Sequence, residues 1–475
     1  MNMDLKLTSR LGILLVATVV SGTFAQEATS DWRNKDINVS FRDKRIDGFR
    51  FDGAKAVQGV TDFQRVTGDG ASFEDANLTG VKFQNAVMNS PNFQGANLTN
   101  VIISGADMRE SDFKNANMQG ANLYRATLLD SRFPKANLTG ARLDAMKVSD
   151  QADFSKANLT NASVMNVDLT MADFSKANLT NTNFSRSLMG SANLSDAIMV
   201  KTDFTACNLI NADFSDVNLQ EVNFSKAGLS RAIFSGTEFN NVNLQAADLS
   251  LTSFNEVDLS KTQLQMVSFA QSDLKNMTFN GQDLSGAVFD KGVVTKSSFE
   301  KSKLNGASFF DAEVSKDVFR NAEMQKSVFD GAYVRKDIFD KADLTKANFS
   351  NSTIEMTSFD LATMTGANFS GAKLSQVTFL NANLQNAKFD ADTKMEEVDF
   401  SGADLSRAKI EKFTAKSVIY DAKTSFPDGF EPRQYGFTKR GEKAASVSVE
   451  KKQSSVSDDA MPKKKRRKKK VEDDE

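Results

Sequence analysis

The sequence of 475 residues contains no histidine, one cysteine, one tryptophan and five prolines. Without histidine the chain cannot form a Ser-His-Asp triad, a His-ligated zinc site or a His-ligated haem. Cys207 alone cannot form an intrachain disulfide or a cysteine-cluster metal site, and we expect it to be a small buried apolar side chain. We therefore predict a protein that is not an enzyme, with no catalytic residues, no cofactor and no metal site.

The first 25 residues have the pattern of a secretory signal peptide. Lys6 and Arg10 precede the apolar stretch 11–20, and Ala25 stands at the position expected before cleavage, so that Gln26 would begin the mature chain. Ten apolar residues are too few to span a bilayer, which takes about 20. We therefore expect an exported protein, periplasmic or extracellular.

The last segment, residues 439–475, has a composition typical of disorder. It contains 13 basic and 8 acidic residues, a net charge of +5, and includes an uninterrupted basic run at 463–470. Residues 26–438 carry a net charge of −8. The basic run suggests an anionic partner, and a solvated tail without a specific partner is the alternative.

A five-residue repeat dominates the rest of the sequence. Stepping by five from Phe73, with one extra residue at 149–153 and another at 390–394, reaches Ile410 through 68 positions. Every one of them is Phe, Leu, Met, Ile or Val, and 28 of the 38 phenylalanines lie in this frame. Two residues before each large residue the side chain is usually small, and the residue between them is commonly Asn or Asp.

A period of five fits neither a helix nor an ordinary strand. It does fit a chain that turns a corner every five residues, so that four units close a square coil of about twenty residues. The large and the small side chain of each unit would point inward, and the polar residues would face water. The pattern, as in Ala157-Asn158-Leu159-Thr160-Asn161, closely resembles the pentapeptide-repeat family.

The resemblance implies an all-β fold, a right-handed quadrilateral β-helix of about 17 coils. At about 4.8 Å a coil the rod would be roughly 80 Å long. We divide the chain into a signal peptide (1–25), an N-terminal cap with the first irregular coils (26–70), the β-solenoid (71–412), a C-terminal cap (413–438) and a disordered tail (439–475). Phe41, Ile46 and Phe51 are also five apart and suggest that coils begin before residue 71.

The phenylalanines predict stacked columns inside the rod. From Phe269 to Phe389 every second large residue is Phe, which places the rings on two opposite faces. From Phe204 to Phe234 the same spacing occurs in the other phase. We therefore predict that the columns move to the adjacent pair of faces, with a repacked core near Phe239 and Phe254.

Asp317 and Asp337 are the main exceptions to the small-residue rule. They are twenty residues apart, so they should lie one above the other, and Lys316 and Lys336 precede them. One interpretation is a paired-carboxylate or cation site with a raised pKa. The interpretation that we favour is a distorted coil, in which each Asp reaches solvent or the neighbouring lysine. Gln282 and Gly292 also suggest a less regular stretch, and the insertions at 149–153 and 390–394 suggest bulges that either serve a partner or are neutral.

Three functions are compatible with these features. The first is an exported, non-catalytic scaffold whose flat faces bind a protein or polymer, with oligomers possible through the rod ends. The second is a DNA-mimicking, topoisomerase-interacting protein, a role that some members of the resembling family have; the signal peptide and the modest charge disfavour it. The third is polyanion binding through the basic tail. The sequence identifies no specific partner.

Overall fold

The computed structural model describes residues 30–254, 257–411 and 413–442. Within these ranges the chain forms a β-solenoid of about 20 turns in which every strand pairing is parallel. A residue on one side of the coil pairs with the residue about twenty positions later, as Asn77 does with Asn97 and Asn97 with Asn117. Four units of five residues therefore complete one turn, and the predicted square β-solenoid is confirmed.

The strands are two or three residues long because each side of the square holds only the residues between two corners. In the first half of the rod they form three sheets. One pairs β1 (Asp36–Ile37) with β2 (Lys55–Ala56). The second contains β3 (Thr67–Asp69), β4 (Val87–Asn89), β5 (Asp107–Arg109), β6 (Thr127–Leu128) and β7 (Lys147–Val148). The third contains β8 (Met199–Val200), β9 (Asn218–Gln220) and β10 (Glu238–Asn240).

The second half contains the longest sheet, of eight strands. These are β11 (Asp273–Lys275), β12 (Val293–Thr295), β13 (Glu313–Ser315), β14 (Tyr333–Arg335), β15 (Thr353–Glu355), β16 (Lys373–Ser375), β18 (Lys394–Glu396) and β20 (Thr414–Lys416). Two pairs complete the structure: β17 (Lys388–Phe389) with β19 (Lys409–Ile410), and β21 (Val418–Tyr420) with β22 (Phe437–Lys439). A short 3-10 helix, Pro432–Tyr435, precedes β22.

Coils extend beyond the regular repeat at both ends. Pairing begins at Asp31, which bridges to Arg50, and Arg50 in turn bridges to Ser72, 22 residues later. The two additional residues form a wide corner, where Thr61 donates its backbone N–H to the Val57 carbonyl (3.0 Å). The solenoid therefore has more turns than the 17 of the regular frame, and the early spacing of Phe41, Ile46 and Phe51 does mark coils.

The core is one continuous column of inward side chains, as the five-residue pattern predicts. The large residues of the frame, except the half-buried Val148 and Ile410, and most of the small ones are buried along the rod. Since no single coil can cover its own inward side chains, each turn depends on its neighbours for burial. Each buried Phe or Leu contributes about 1.5–3 kcal/mol relative to exposure.

The predicted phenylalanine columns are confirmed. Phe289, Phe309 and Phe329 stack with ring centroids 4.6 and 4.7 Å apart. The column on the opposite face stacks in the same way, with 4.8 Å between Phe299 and Phe319. Such offset-parallel rings add to the energy of burial.

The change of columns lies where the sequence places it. Phe234 and Phe254 are parallel but 6.2 Å apart, and Phe254 meets Phe269 edge to face at 5.4 Å. Phe239 packs obliquely against Phe234 at 5.2 Å. Looser contacts in this segment are the consequence of moving large rings from one pair of faces to the other.

Aromatic side chains also lie at both ends of the described rod. Trp32 packs edge to face on Phe41 at 5.6 Å. At the other end Phe430 stacks on Tyr435 (4.5 Å), and Phe437 continues the column above Phe400 (6.1 Å).

Over the described ranges, no helix has the length and hydropathy needed to cross a bilayer.

Candidate functional site: the buried aspartates and the outer faces

Asp317 and Asp337 keep the inward position and are 0% and 1% exposed. The coil does not distort around them, because β12, β13, β14 and β15 stay in register at twenty residues. The interpretation that each Asp reaches solvent or a lysine is therefore wrong. Lys316 and Lys336 lie outside, at the corner.

The two carboxylates belong to a ladder of backbone-to-side-chain hydrogen bonds inside the rod. The Met277 N–H donates to Ser297 Oγ (3.0 Å), and the Ser297 N–H donates to Asp317 Oδ1 (2.5 Å). The Asp317 N–H donates to Asp337 Oδ1 (2.7 Å), and the Asp337 N–H lies 3.4 Å from Thr357 Oγ1. We call Ser297, Asp317, Asp337 and Thr357 the inner polar ladder.

The turn geometry explains why polar residues occur there. At most corners the N–H of the small residue donates to the carbonyl three residues earlier, as from Ala307 to Leu304 (3.0 Å). At the corner of the inner polar ladder the N–H points to the next turn instead. A buried N–H without a partner is costly, so a side-chain oxygen one turn later satisfies it.

The same solution occurs elsewhere in the rod. The Ser111 N–H donates to Ser131 Oγ and the Val167 N–H to Ser187 Oγ, both at 3.0 Å. Pro91, buried one turn before Ser111, has no N–H to satisfy. The restricted residue choice in these columns therefore reflects the turn type, and it requires no ligand.

Burial raises the pKa of both aspartates. The pKa of Asp317 rises to about 7, although N–H donors from Ser297 and Ser315 oppose the shift. Burial first, and then the negative charge of Asp317, raise the pKa of Asp337 well above its usual range. Among the described residues no group donates a hydrogen bond to Asp337 Oδ2, and a neutral carboxyl group costs less to bury there than a charged one. The pair is thus a structural element of the inner polar ladder, with both pKa values raised by burial.

The oxygens of Asp317 serve the backbone of the rod: Oδ1 and Oδ2 both accept backbone N–H groups. Across the described ranges, no group of three or more acidic or cysteine side chains is arranged to hold a metal ion.

The remaining exceptions also have local explanations. Gln282 donates from Nε2 to the Leu259 carbonyl (2.7 Å). A Cβ at Gly292 would lie 3.0 Å from the Ser272 carbonyl oxygen. Cys207 is buried and its Sγ lies 3.0 Å from the Ser187 carbonyl oxygen, and burial raises the pKa of its thiol. That environment makes it an unreactive thiol.

The insertions lengthen corners without interrupting pairing. Asn137 pairs with Asn158, and Lys373 with Lys394, each 21 residues apart. At the second insertion Asp390 Oδ1 accepts the N–H of Gly371 from the turn before (2.8 Å). The corner at the second insertion therefore accommodates its additional residue with a hydrogen bond to the neighbouring turn.

The most regular outer surface lies on one face over six successive turns. Its outward pairs are Asn77/Thr79, Asn97/Thr99, Asn117/Gln119, Asn137/Thr139, Asn158/Thr160 and Asn178/Thr180, which we call the Asn–Thr ladder. In every Thr-containing pair the Thr Oγ1 donates to the Asn Oδ1, at 2.6 to 2.7 Å. The side chains are thereby fixed in one orientation. The amide Nδ2 groups recur once a turn, and those of Asn117 and Asn137 also donate within the ladder, to Thr99 Oγ1 (3.0 Å) and Asn117 Oδ1 (2.8 Å).

Two sequence-family models match the chain. The one described as Pentapeptide repeats matches with eight copies within residues 69–145 and 342–391, and the one described as Pentapeptide repeat region matches residues 167–289. Together they cover more than half of the chain. No curated protein matches it significantly.

Solved structures of low sequence identity align with parts of the rod. A form of QnrB1, described as a plasmid-mediated fluoroquinolone resistance protein, is 16% identical over 49% of this chain and 92% of its own, with a TM-score of 0.25. HetL from the cyanobacterium Nostoc, a pentapeptide repeat protein, is 22% identical over 59% and 88%, with a TM-score of 0.13. The sequence models and the square coil of five-residue units agree, and the chain belongs to the pentapeptide-repeat family.

Proposed function

We propose that this protein is an exported, non-catalytic scaffold that presents a flat, regular face to a protein or polymer. The observation that carries the proposal is the Asn–Thr ladder, a charge-free surface six turns long whose side chains are held in place by hydrogen bonds. A partner that binds there meets groups that are already ordered, so that little side-chain entropy is lost. The pattern that predicts export, in residues 1–25, lies outside the described residues.

The surface charges favour this function over DNA mimicry. A DNA mimic needs uncompensated negative charge along the rod. Here several carboxylates near the N-terminal end pair with arginine, as Asp62 does with Arg42 (2.7 Å) and Asp43 with Arg65 (2.7 Å). The tail that would bind a polyanion lies almost wholly outside the described residues, at 443–475, and that alternative stays a prediction.

The export part is tested by cell fractionation with mass spectrometry of the native N-terminus. We expect a mature chain that begins near Gln26 in a fraction outside the cytoplasm. An intact Met1 in the cytoplasm would contradict export and return DNA mimicry to consideration.

The scaffold part is tested in the same cells with a photoreactive residue at Thr160, in the Asn–Thr ladder. The matched control carries it at Ser370, which faces outward on the opposite side of the square. We expect crosslinked partners from position 160 and none from position 370. Absence of crosslinks from both positions would argue against an interaction at this face.

A further inference from the structure

One edge of the rod carries lysines on consecutive turns. Lys135, Lys156 and Lys176 occupy the same corner in three successive turns, and we call them the lysine edge. All three are exposed, and their φ angles are 58°, 58° and 59°. At about 4.8 Å a turn, three positive charges lie within roughly 10 Å along the rod.

Neither the backbone preference of this corner nor local ion pairing selects lysine at these three positions. The left-handed backbone at this corner favours Gly or Asn over Lys, and Gly95 and Asn115 occupy the same corner in the two preceding turns. Like charges at this spacing also repel. Within the described part of the chain, Lys135 and Lys156 have no carboxylate within ion-pair distance, and Lys176 reaches Asp196 at 3.9 Å.

The lysine edge borders the Asn–Thr ladder directly. In the segments 153–161 and 173–181 the sequence is identical, so each turn presents Ser, Lys, Asn and Thr in the same order across the corner. The Oδ1 of each Asn accepts its Thr hydroxyl, for example Thr160 to Asn158 at 2.6 Å. The three ammonium groups therefore form one row along the rod, beside rows of amide and hydroxyl groups. Arg132, on the preceding face, pairs with Asp112 (2.7 Å).

We propose that the lysine edge and the adjoining Asn–Thr ladder bind a linear acidic polysaccharide with one carboxylate per sugar. Each turn would receive one sugar residue, with its carboxylate on a lysine and its hydroxyl groups on the Asn and Thr of that turn. An extended sugar residue advances its chain by about the rise of one turn. This inference deepens the proposed scaffold function by naming the chemical class of one partner.

The surroundings favour a single narrow chain over a broad anionic surface. Asp153 and Asp173 lie on the face before the corner, and Asp196 follows Lys176 on the edge itself. A lipid bilayer or a nucleic-acid duplex would place its phosphates over these carboxylates as well as over the lysines. The footprint is thus limited to about three turns at one corner.

The chain contains a matched control for the test. Lys296, Lys316 and Lys336 form a second lysine triplet at the same corner, also with left-handed φ angles. On the adjoining face the positions that correspond to the ladder asparagines are Ser298, Val318 and Ile338, so this triplet has the charge without the amide and hydroxyl rows.

The experiment compares the full chain with two triple variants, Lys135→Asn/Lys156→Asn/Lys176→Asn and Lys296→Asn/Lys316→Asn/Lys336→Asn. Calorimetry measures binding of polygalacturonate at several salt concentrations, with its fully methyl-esterified form and oligothymidylate as comparison probes. Because Asn suits the left-handed corner, we expect neither variant to melt below the parent. All three proteins share the basic run at 463–470, so a contribution from the tail cancels.

We expect the first variant to bind polygalacturonate at least about tenfold more weakly, with the salt slope reduced by roughly one per lysine removed. The second variant and the parent should bind alike, and the methyl ester should bind weakly to all three. Equal losses of affinity in both variants would overturn the proposal, because positive charge alone would then account for binding. No binding by the parent, or binding of oligothymidylate at least as tight, would also overturn it. Neither result would affect the N-terminus or the Thr160 crosslinks, so the scaffold proposal is tested separately.

Discussion

Replacing Phe319 by Ala should destabilise the middle of the rod by about 3–5 kcal/mol. The ring is fully buried and stacks on Phe299 and Phe339, at 4.8 and 4.6 Å, and meets Phe309 edge to face. Its removal leaves a cavity and interrupts the column. Urea unfolding followed by hydrogen exchange should show the loss in the turns around residues 299–339, because each turn depends mainly on its neighbours.

The matched control is Phe310→Ala, which removes the same side chain from an outward position one residue after the buried Phe309. We expect a change below about 1 kcal/mol there. Equal effects of the two substitutions would contradict the stacked-core account of stability.

The stability of turns 297–357 should fall as the pH rises from about 4 to above 7. Asp317 has a folded-state pKa of about 7 against an ordinary value of 3.8, and burial also raises the pKa of Asp337 well above its ordinary value. Across that window the folded state holds more protons than the unfolded state, so raising the pH favours unfolding. Asp317 alone corresponds to a loss of up to about 4 kcal/mol.

The test uses the double variant Asp317→Ser/Asp337→Ser, because Ser297 already occupies the equivalent position in the inner polar ladder. A serine hydroxyl still accepts the N–H of the turn before and does not titrate. We expect the variant to be less dependent on pH and more stable than the parent at pH 8, measured by urea unfolding at pH 5 and pH 8. Asp311→Asn, at an exposed corner, is the control and should leave the dependence unchanged. A parent whose stability rises with pH over this range would disprove the buried, protonated pair.

The residue pattern was sufficient to predict the architecture and the composition of the core. Inward positions recur at an interval of five, and steric restriction at the axis limits each to a few residue types. The sequence alone therefore predicts the frame from Phe73 to Ile410 and the phenylalanine columns. The change of phase between Phe234 and Phe269 was readable for the same reason.

Other features depended on which residues meet across turns. Phe41, Ile46 and Phe51 suggested early coils, but the pattern did not connect them to the frame from Phe73, because the wide corner at Thr61 changes the spacing to 22. The expectation that Asp317 and Asp337 reach solvent or a lysine is wrong, because it treats a buried carboxylate as too costly. A clue was present in the sequence, since Ser297, Asp317, Asp337 and Thr357 are all polar and twenty residues apart.

The sequence by itself thus determined the square coil, its inward side chains and its flat polar faces, because these depend on a short period that every unit repeats. Only the tertiary structure decided what the exceptions do. A backbone N–H that lacks a partner within its own turn can be located only once the next turn is stacked on it. Likewise only the stacking of the turns, with their insertions and corners, decides that Lys135, Lys156 and Lys176 lie along one edge of the rod, next to the Asn–Thr ladder.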